Sequence, residues 1–147
     1  MHTLTVPGTL DSLGLIRDFV KSAAAEAGTD RKRAYRLQLA VDEIATNIIL
    51  HGYAETGSEG NLGLQSWLTD ATLTVSIEDT ALPYNPLEQA VPGSLDAPLE
   101  KRPTGGLGVY LAIRSVDNFL YERAGDRNRN IFIVNRASTP PIVGPGG

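Results

Sequence analysis

Glu43 and Asn47 stand one helical turn apart in LQLAVDEIATNIILHGY, residues 37 to 53. Leu37, Val41, Ile44 and Ile48 recur there at three-and-four spacing, which predicts an amphipathic helix. At about 100° per residue the four apolar side chains share one arc, while Glu43 and Asn47 lie about 40° from each other and roughly 90° to its side. A carboxylate and an amide on adjacent turns present oxygen atoms in one direction, so together they can hold a hard cation or orient a hydroxyl. By itself the pair also fits a solvated helix edge. Two other stretches supply chemistry of a related kind. GGLG, residues 105 to 108, sets three glycines at the entry of an apolar helical run, where backbone N–H groups can approach a phosphate and a helix N-terminus favours its charge. It is neither a Walker loop nor a dinucleotide fingerprint. In IEDTALPYNP, Asp79 ends an apolar strand and can accept a hydrogen bond from an exocyclic amine, with Pro83, Tyr84 and Pro86 shaping the turn beyond it.

These residues need elements to position them. Leu10, Leu13, Ile16, Val20, Ala23 and Ala27 predict a first helix over 10–27, closed by Gly28 in a left-handed turn. Asp30 caps the second helix, which Gly52 is expected to stop. LGLQSWL and TLTVSIED read as an antiparallel hairpin turning near Thr69-Asp70-Ala71. The proline-rich stretch 80–104 is long for a connection, and its part from Pro86 onward is a candidate lid hinged on the glycines. GGLGVYLAIRSV opens a short helix, and NFLYERA and NIFIVNR give two more strands across an AGDRNR turn. The expected architecture is α+β, a two-layer sandwich of helices on a mixed, mostly antiparallel sheet. One domain over 1–136 and a flexible tail over 137–147, ASTPPIVGPGG, complete the organisation.

Composition narrows the functions. The 147-residue chain has no cysteine and two histidines, which rules out a disulfide framework and a thiolate metal site and leaves little for zinc. Thirteen basic against seventeen acidic residues give a net charge of −4, which argues against duplex nucleic acid as the main partner. No apolar run approaches the about 18 residues of a membrane span, and the start MHTLTVPGTL lacks a signal-peptide pattern, so a cytoplasmic location is expected.

Taken in order, the three stretches resemble the anti-sigma factor serine/threonine kinases of the GHKL ATPase superfamily, relatives of histidine-kinase ATP domains, over about residues 4–136. AVDEIATNIILHGY is similar to that family's N box, DTALPYNP to its adenine-binding box, and PTGGLGVYLAIRSVDNFLYER to its second glycine box. The resemblance implies the Bergerat-type ATP-binding fold, ATP or ADP with Mg²⁺ as cofactors, and a homodimer that phosphorylates an anti-anti-sigma (STAS-type) protein and sequesters a sigma factor. Asn47 would then ligate Mg²⁺, Glu43 would act as general base, and Asp79 would hold the adenine amine beside Ala81 and Pro83. Arg102, Thr104, Gly105, Gly106, Leu107 and Gly108 would surround the phosphates. Ala81 stands where the family has a glycine, and Tyr84-Asn85 where it has Phe-Asp. A second reading, a partner-binding module of the same fold without catalysis, rests on Ala81.

Overall fold

The computed structural model describes residues 1–89 and 106–136. The tail 137–147 and the segment 90–105, which takes in most of the expected lid together with Arg102, Thr104 and Gly105, lie outside the described residues. In chain order the elements are β1 (His2–Pro7), a 3-10 turn (Leu10–Ser12), α1 (Leu13–Ala27), α2 (Arg31–Asn47), a π-helical turn (Ile48–Ala54), β2 (Asn61–Leu68), β3 (Thr72–Asp79), α3 (Pro86–Gln89), α4 (Gly106–Ser115), β4 (Asn118–Ala124) and β5 (Arg127–Asn135).

The strands form one five-stranded sheet in the order β1-β2-β3-β5-β4. Every neighbouring pair is antiparallel, so among the described residues the sheet has none of the parallel pairing a mixed sheet would carry. Period-2 alternation sends Leu62, Leu64, Leu73, Val75, Ile77, Phe132 and Val134 to one face, where all are buried. Helices α1 and α2 cover that face with Ile16, Val20, Leu37, Val41 and Ile44, all almost fully buried. Phe119 meets Phe132 edge-on at 5.2 Å between ring centres, fixing β4 against β5. The outcome is the two-layer α+β sandwich that the pattern of elements implies.

Local chemistry sets the helix ends. Gly28 closes α1 at φ 67°, its N–H donating to the carbonyls of Ala24 and Ala25. Asp30 caps α2 by accepting from the Arg33 N–H at 2.8 Å. The Arg33 guanidinium then reaches both Asp30 and Asp117, tying the start of α2 to the loop before β4.

Four features differ from the sequence expectation. His2–Pro7 is an edge strand, where only Val6 is buried and the alternation is therefore faint. The first helix begins at Leu13, because Leu10 to Ser12 turn more tightly and leave Leu10 half exposed. Gly52 does not end the second helix. The chain passes from α2 into the π-helical turn with Ile49 and Tyr53 buried, and the glycine serves close approach: a Cβ there would lie 3.0 Å from the Ala81 Cβ. Finally, β5 starts at Arg127, so the connection to β4 is just Gly125-Asp126 with Gly125 at φ 62°.

Candidate functional site

The end of β3, the start of β5 and the junction of α2 with the π-helical turn meet around a cavity of about 130 Å³. Its apolar wall comes from Ile44, Ile48, Ala81, Leu82, Pro83 and Tyr84, and its polar groups are Asn47, Asp79, Asn128, Asn130, His51 and Thr56. A pocket of about 150 Å³ with apolar walls takes up a benzene ring. This one is of a size for a flat ring system with a few directed hydrogen bonds, which is how small-molecule sites are usually built.

Asp79 lies on the inner face, 3% exposed, directly opposite Asn128 in the β3–β5 register. Its Oδ1 accepts from the Ala81 N–H at 3.0 Å and from Asn128 Nδ2 at 2.9 Å. The same Asn128 amide donates to the carbonyls of Ala81 and Leu82, and its oxygen accepts from the Tyr84 N–H and the Tyr121 hydroxyl. Arg123 adds a bond to the Ala81 carbonyl at 2.9 Å. From the other side the Tyr53 hydroxyl accepts from the Thr80 N–H at 2.9 Å and donates to the Asn61 carbonyl. Residues 80–84, at first sight loop, are thus pinned by side chains of β4, β5 and the π-helical turn. Ala81 adopts no positive φ, so the backbone itself asks for no glycine there. Its methyl is part of the cavity wall.

Burial pushes the Asp79 carboxyl above its ordinary value, against the pull of the Asn128 amide, the Ala81 N–H and the Arg123 guanidinium. Between the unfolded-state value and the raised one, the folded chain keeps a proton that the unfolded chain has released, so stability falls as pH rises through that interval. Asp79→Asn retains an oxygen for both donors and removes the buried charge. It is expected to raise the melting temperature of the nucleotide-free protein at neutral pH, by a margin that closes as acid protonates the wild-type carboxyl. Melting curves of the two proteins from acid to neutral pH test this. A variant that melts lower at neutral pH would show that the two donors and the Arg123 charge outweigh the loss of hydration. Burial likewise pushes the Tyr84 phenol up, with the Asn47 side chain opposing it.

Asn47, 8% exposed, sits at the cavity on the last turn of α2. Glu43, one turn earlier and half-buried, does not line the cavity. It turns toward the first turn of α4, where Gly106, Leu107 and Gly108 are helical instead of preceding the helix. A Cβ on Gly108 would collide with the Glu43 carboxylate. The first N–H groups of a helix have no partner within it, so this end of α4 sets donors that the helix itself does not use beside a carboxylate. Helices α2 and α4 therefore bring two of the three stretches together, and Asp79 and Asn47 line the same cavity. Sequence reading missed Asn128, Asn130 and Tyr53. No cluster of three or more His, Asp or Glu side chains suited to a metal occurs among the described residues, and no described helix is long and apolar enough to cross a membrane.

Helices on one face of an antiparallel sheet, with a strand-end carboxylate and an asparagine of the covering helix lining one cavity, agree with a kinase-like ATPase domain. The chain belongs to the histidine kinase-like ATPase domain family, whose pattern it matches over residues 6–134. Among curated proteins it is similar to the serine-protein kinase RsbW of Bacillus thuringiensis (strain Al Hakam) and of Bacillus cereus (strain 03BB102). Each is 25% identical over 118 residues, 78% of this chain and 72% of the relative. Among solved structures it matches the RsbU and RsbW domains of a Mycobacterium tuberculosis protein at 17% identity and TM-score 0.61, over 94% of this chain. The match covers 34% of that longer chain, about a third of its length. The histidine kinase domain of the blue-light activated histidine kinase of Erythrobacter litoralis gives TM-score 0.50 at 17% identity, over 93% of this chain and 65% of that one. At such identities the structural likeness is one of fold.

Proposed function

We propose that this protein is an ATP-dependent serine/threonine kinase that phosphorylates an anti-anti-sigma (STAS-type) protein and, by partner switching, sequesters a sigma factor, acting in the cytoplasm as a homodimer. The observation that carries the reading is the convergence of Glu43 and the first turn of α4, one helical turn from an asparagine at the mouth of a ring-sized cavity. Likeness to RsbW kinases supports the choice of reaction.

The cavity suits the six-membered edge of an adenine: its apolar walls accept a flat ring, and the Asp79 oxygen left over by the Ala81 and Asn128 donors can accept an exocyclic amine. A single amide, Asn47, with no acidic cluster beside it among the described residues, suits Mg²⁺ that arrives with phosphates and keeps water in its remaining positions. Bound Mg²⁺-ATP supplies the phosphoryl group and the counter-charge. Ala81 and Pro83 shape the adenine wall, and the N–H groups of Gly106, Leu107 and Gly108 point donors at the phosphates. Arg102, Thr104 and Gly105 are assigned to the same region on sequence alone. Glu43 accepts the proton of the partner's hydroxyl at the first turn of α4. Phosphoryl transfer asks the protein chiefly for positioning and charge stabilisation, and these groups provide both.

A fluorescent ATP analogue titrated into the protein, followed by mass spectrometry of an anti-anti-sigma protein incubated with it and Mg²⁺-ATP, tests the proposal. Saturable binding and a phosphate on a serine or threonine are expected. Binding without transfer would favour the non-catalytic module, and absence of binding would remove both. Asn47→Ala is expected to weaken Mg²⁺-ATP by roughly tenfold or more while affecting metal-free ADP less, since only the former uses the amide as a ligand. Equal losses would mean that the substitution merely loosens α2.

A further inference from the structure

Glu43 lies in a part of the surface whose makeup the phosphate site does not account for. Gly108, in the first turn of α4, meets the Glu43 carboxylate near the end of α2, while Arg33 near the start of α2 reaches Asp117 just beyond the end of α4. The two helices therefore lie side by side in opposite directions. Leu39, one turn before Glu43, comes level with Leu111, three residues after Gly108, and neither is covered: Leu39 is 49% exposed and Leu111 57%. Tyr35, a further turn back on α2, is 61% exposed. Single exposed leucines are ordinary on a protein surface. Here three large apolar side chains stand exposed on one helix pair, and at 1.5 Å per residue the run from Tyr35 to Glu43 spans about 12 Å. That fits well within the roughly 800 Å² that each side of a standard protein interface presents.

The charges around these side chains are one-sided. Arg31, Lys32 and Arg36 on α2 and Arg114 on α4 are exposed, and among the described residues none of the four takes part in an ion pair. Arg114 lies over the Tyr110 ring at 4.5 Å, a contact that keeps the cation at this face of α4. Asp42, beside Glu43, is already engaged by Arg17 at 2.8 Å. A chain of net charge −4 thus turns a cationic and partly apolar face outward at the carboxylate that is to receive a hydroxyl proton. We propose that this face, Tyr35 and Leu39 on α2 with Leu111 on α4 and a rim of Arg36 and Arg114, is where the phosphoacceptor protein docks, through a surface with an apolar centre and acidic groups around it. The proposal rests on the reading of the chain as a protein kinase and adds the surface and the chemistry by which it selects its substrate. A protein substrate has to cover Glu43 to bring a hydroxyl there, so whatever surrounds that hydroxyl meets these side chains. Apolar contact supplies affinity as water leaves Tyr35 and Leu39, and opposite charges set orientation and encounter rate. The nucleotide base has no use for this face, since none of these residues lines its cavity.

The test uses the full chain, a double variant Tyr35→Ala, Leu39→Gln and the single variant Arg36→Glu. Each is compared with the wild type in ADP affinity, in equilibrium binding of the anti-anti-sigma protein, and in single-turnover transfer to that protein over a range of its concentrations. The changed side chains are exposed, so both variants should melt near the wild type. In each, the partner concentration that gives half-maximal transfer is expected to rise roughly 10-fold or more, with the maximal rate and the ADP affinity unchanged. Added salt should weaken partner binding by the wild type, and less so by Arg36→Glu. Leu15→Gln, in a groove between α1 and β1, should behave as the wild type. Half-maximal concentrations that stay at the wild-type value would overturn the docking surface. So would a fall in maximal rate alone, which would mean that the ridge shapes Glu43, and so would loss of self-association with transfer unchanged, which would assign the face to a second copy of the chain. If the double variant unfolds, Arg36→Glu and the salt dependence decide. A wild type that binds ADP and the partner yet transfers no phosphate fails the kinase reading, while partner binding by the variants still decides the surface; a wild type that never binds the partner overturns the docking outright.

Discussion

Glu43→Gln is expected to leave nucleotide affinity near the wild-type value and to lower phosphoryl transfer by at least about 10²-fold, the usual contribution of a general base. The carboxylate stands apart from the cavity that would hold the base, so binding has no need of its charge. Glutamine keeps the length and the contact with Gly108 but cannot take a proton. Single-turnover transfer to the partner protein, measured beside equilibrium binding of ADP, separates the two effects. Transfer at the wild-type rate would mean that Glu43 packs the start of α4 and that another group accepts the proton.

The second large effect is expected at a residue with no side chain. Gly108→Ala places a methyl where the Glu43 carboxylate now lies. What the methyl meets is the far end of a flexible side chain, so the carboxylate is expected to swing away while the fold persists. Displacing a reacting group by about 1 Å can cost on the order of 10²-fold in rate. The variant should therefore melt close to the wild type and transfer phosphate poorly. Gly14→Ala, on an open stretch of α1 with nothing within 4 Å of the added carbon, is the matched control and should lose no activity. Unimpaired transfer by Gly108→Ala would show that the close approach of α4 to Glu43 is incidental to the reaction.

The parts of the candidate site that lie on one element are legible from spacing. Glu43 and Asn47 are a turn apart on a helix whose apolar stripe is plain, and Asp79 ends a strand of alternating residues; period alone locates them. Asn128 and Asn130 were hidden because their meaning depends on which strand lies beside β5, a register set by tertiary packing. Had Gly125-Asp126 been recognised as a two-residue hairpin turn, period 2 would have put both asparagines on the face of Phe132 and Val134. Gly52 misled for a related reason. A glycine near a helix end reads as a stop, yet its role here is to let the π-helical turn pass close to Ala81, which comes from a different part of the chain.

The bond from Asn128 to Asp79 joins residues 49 positions apart in the chain. While the polypeptide is being made, everything through Asp79 can emerge and the first three strands can pair, but the amide that holds the carboxylate has yet to be synthesised. Until the β4–β5 hairpin docks on β3, Asp79 faces water, residues 80–84 lack the anchors from Asn128 and Arg123, and the wall contributed by β5 is missing. The late hairpin thus acts as the key that arms the site, and a ribosome-bound intermediate ending before it would be blind to ligand however well its helices had formed.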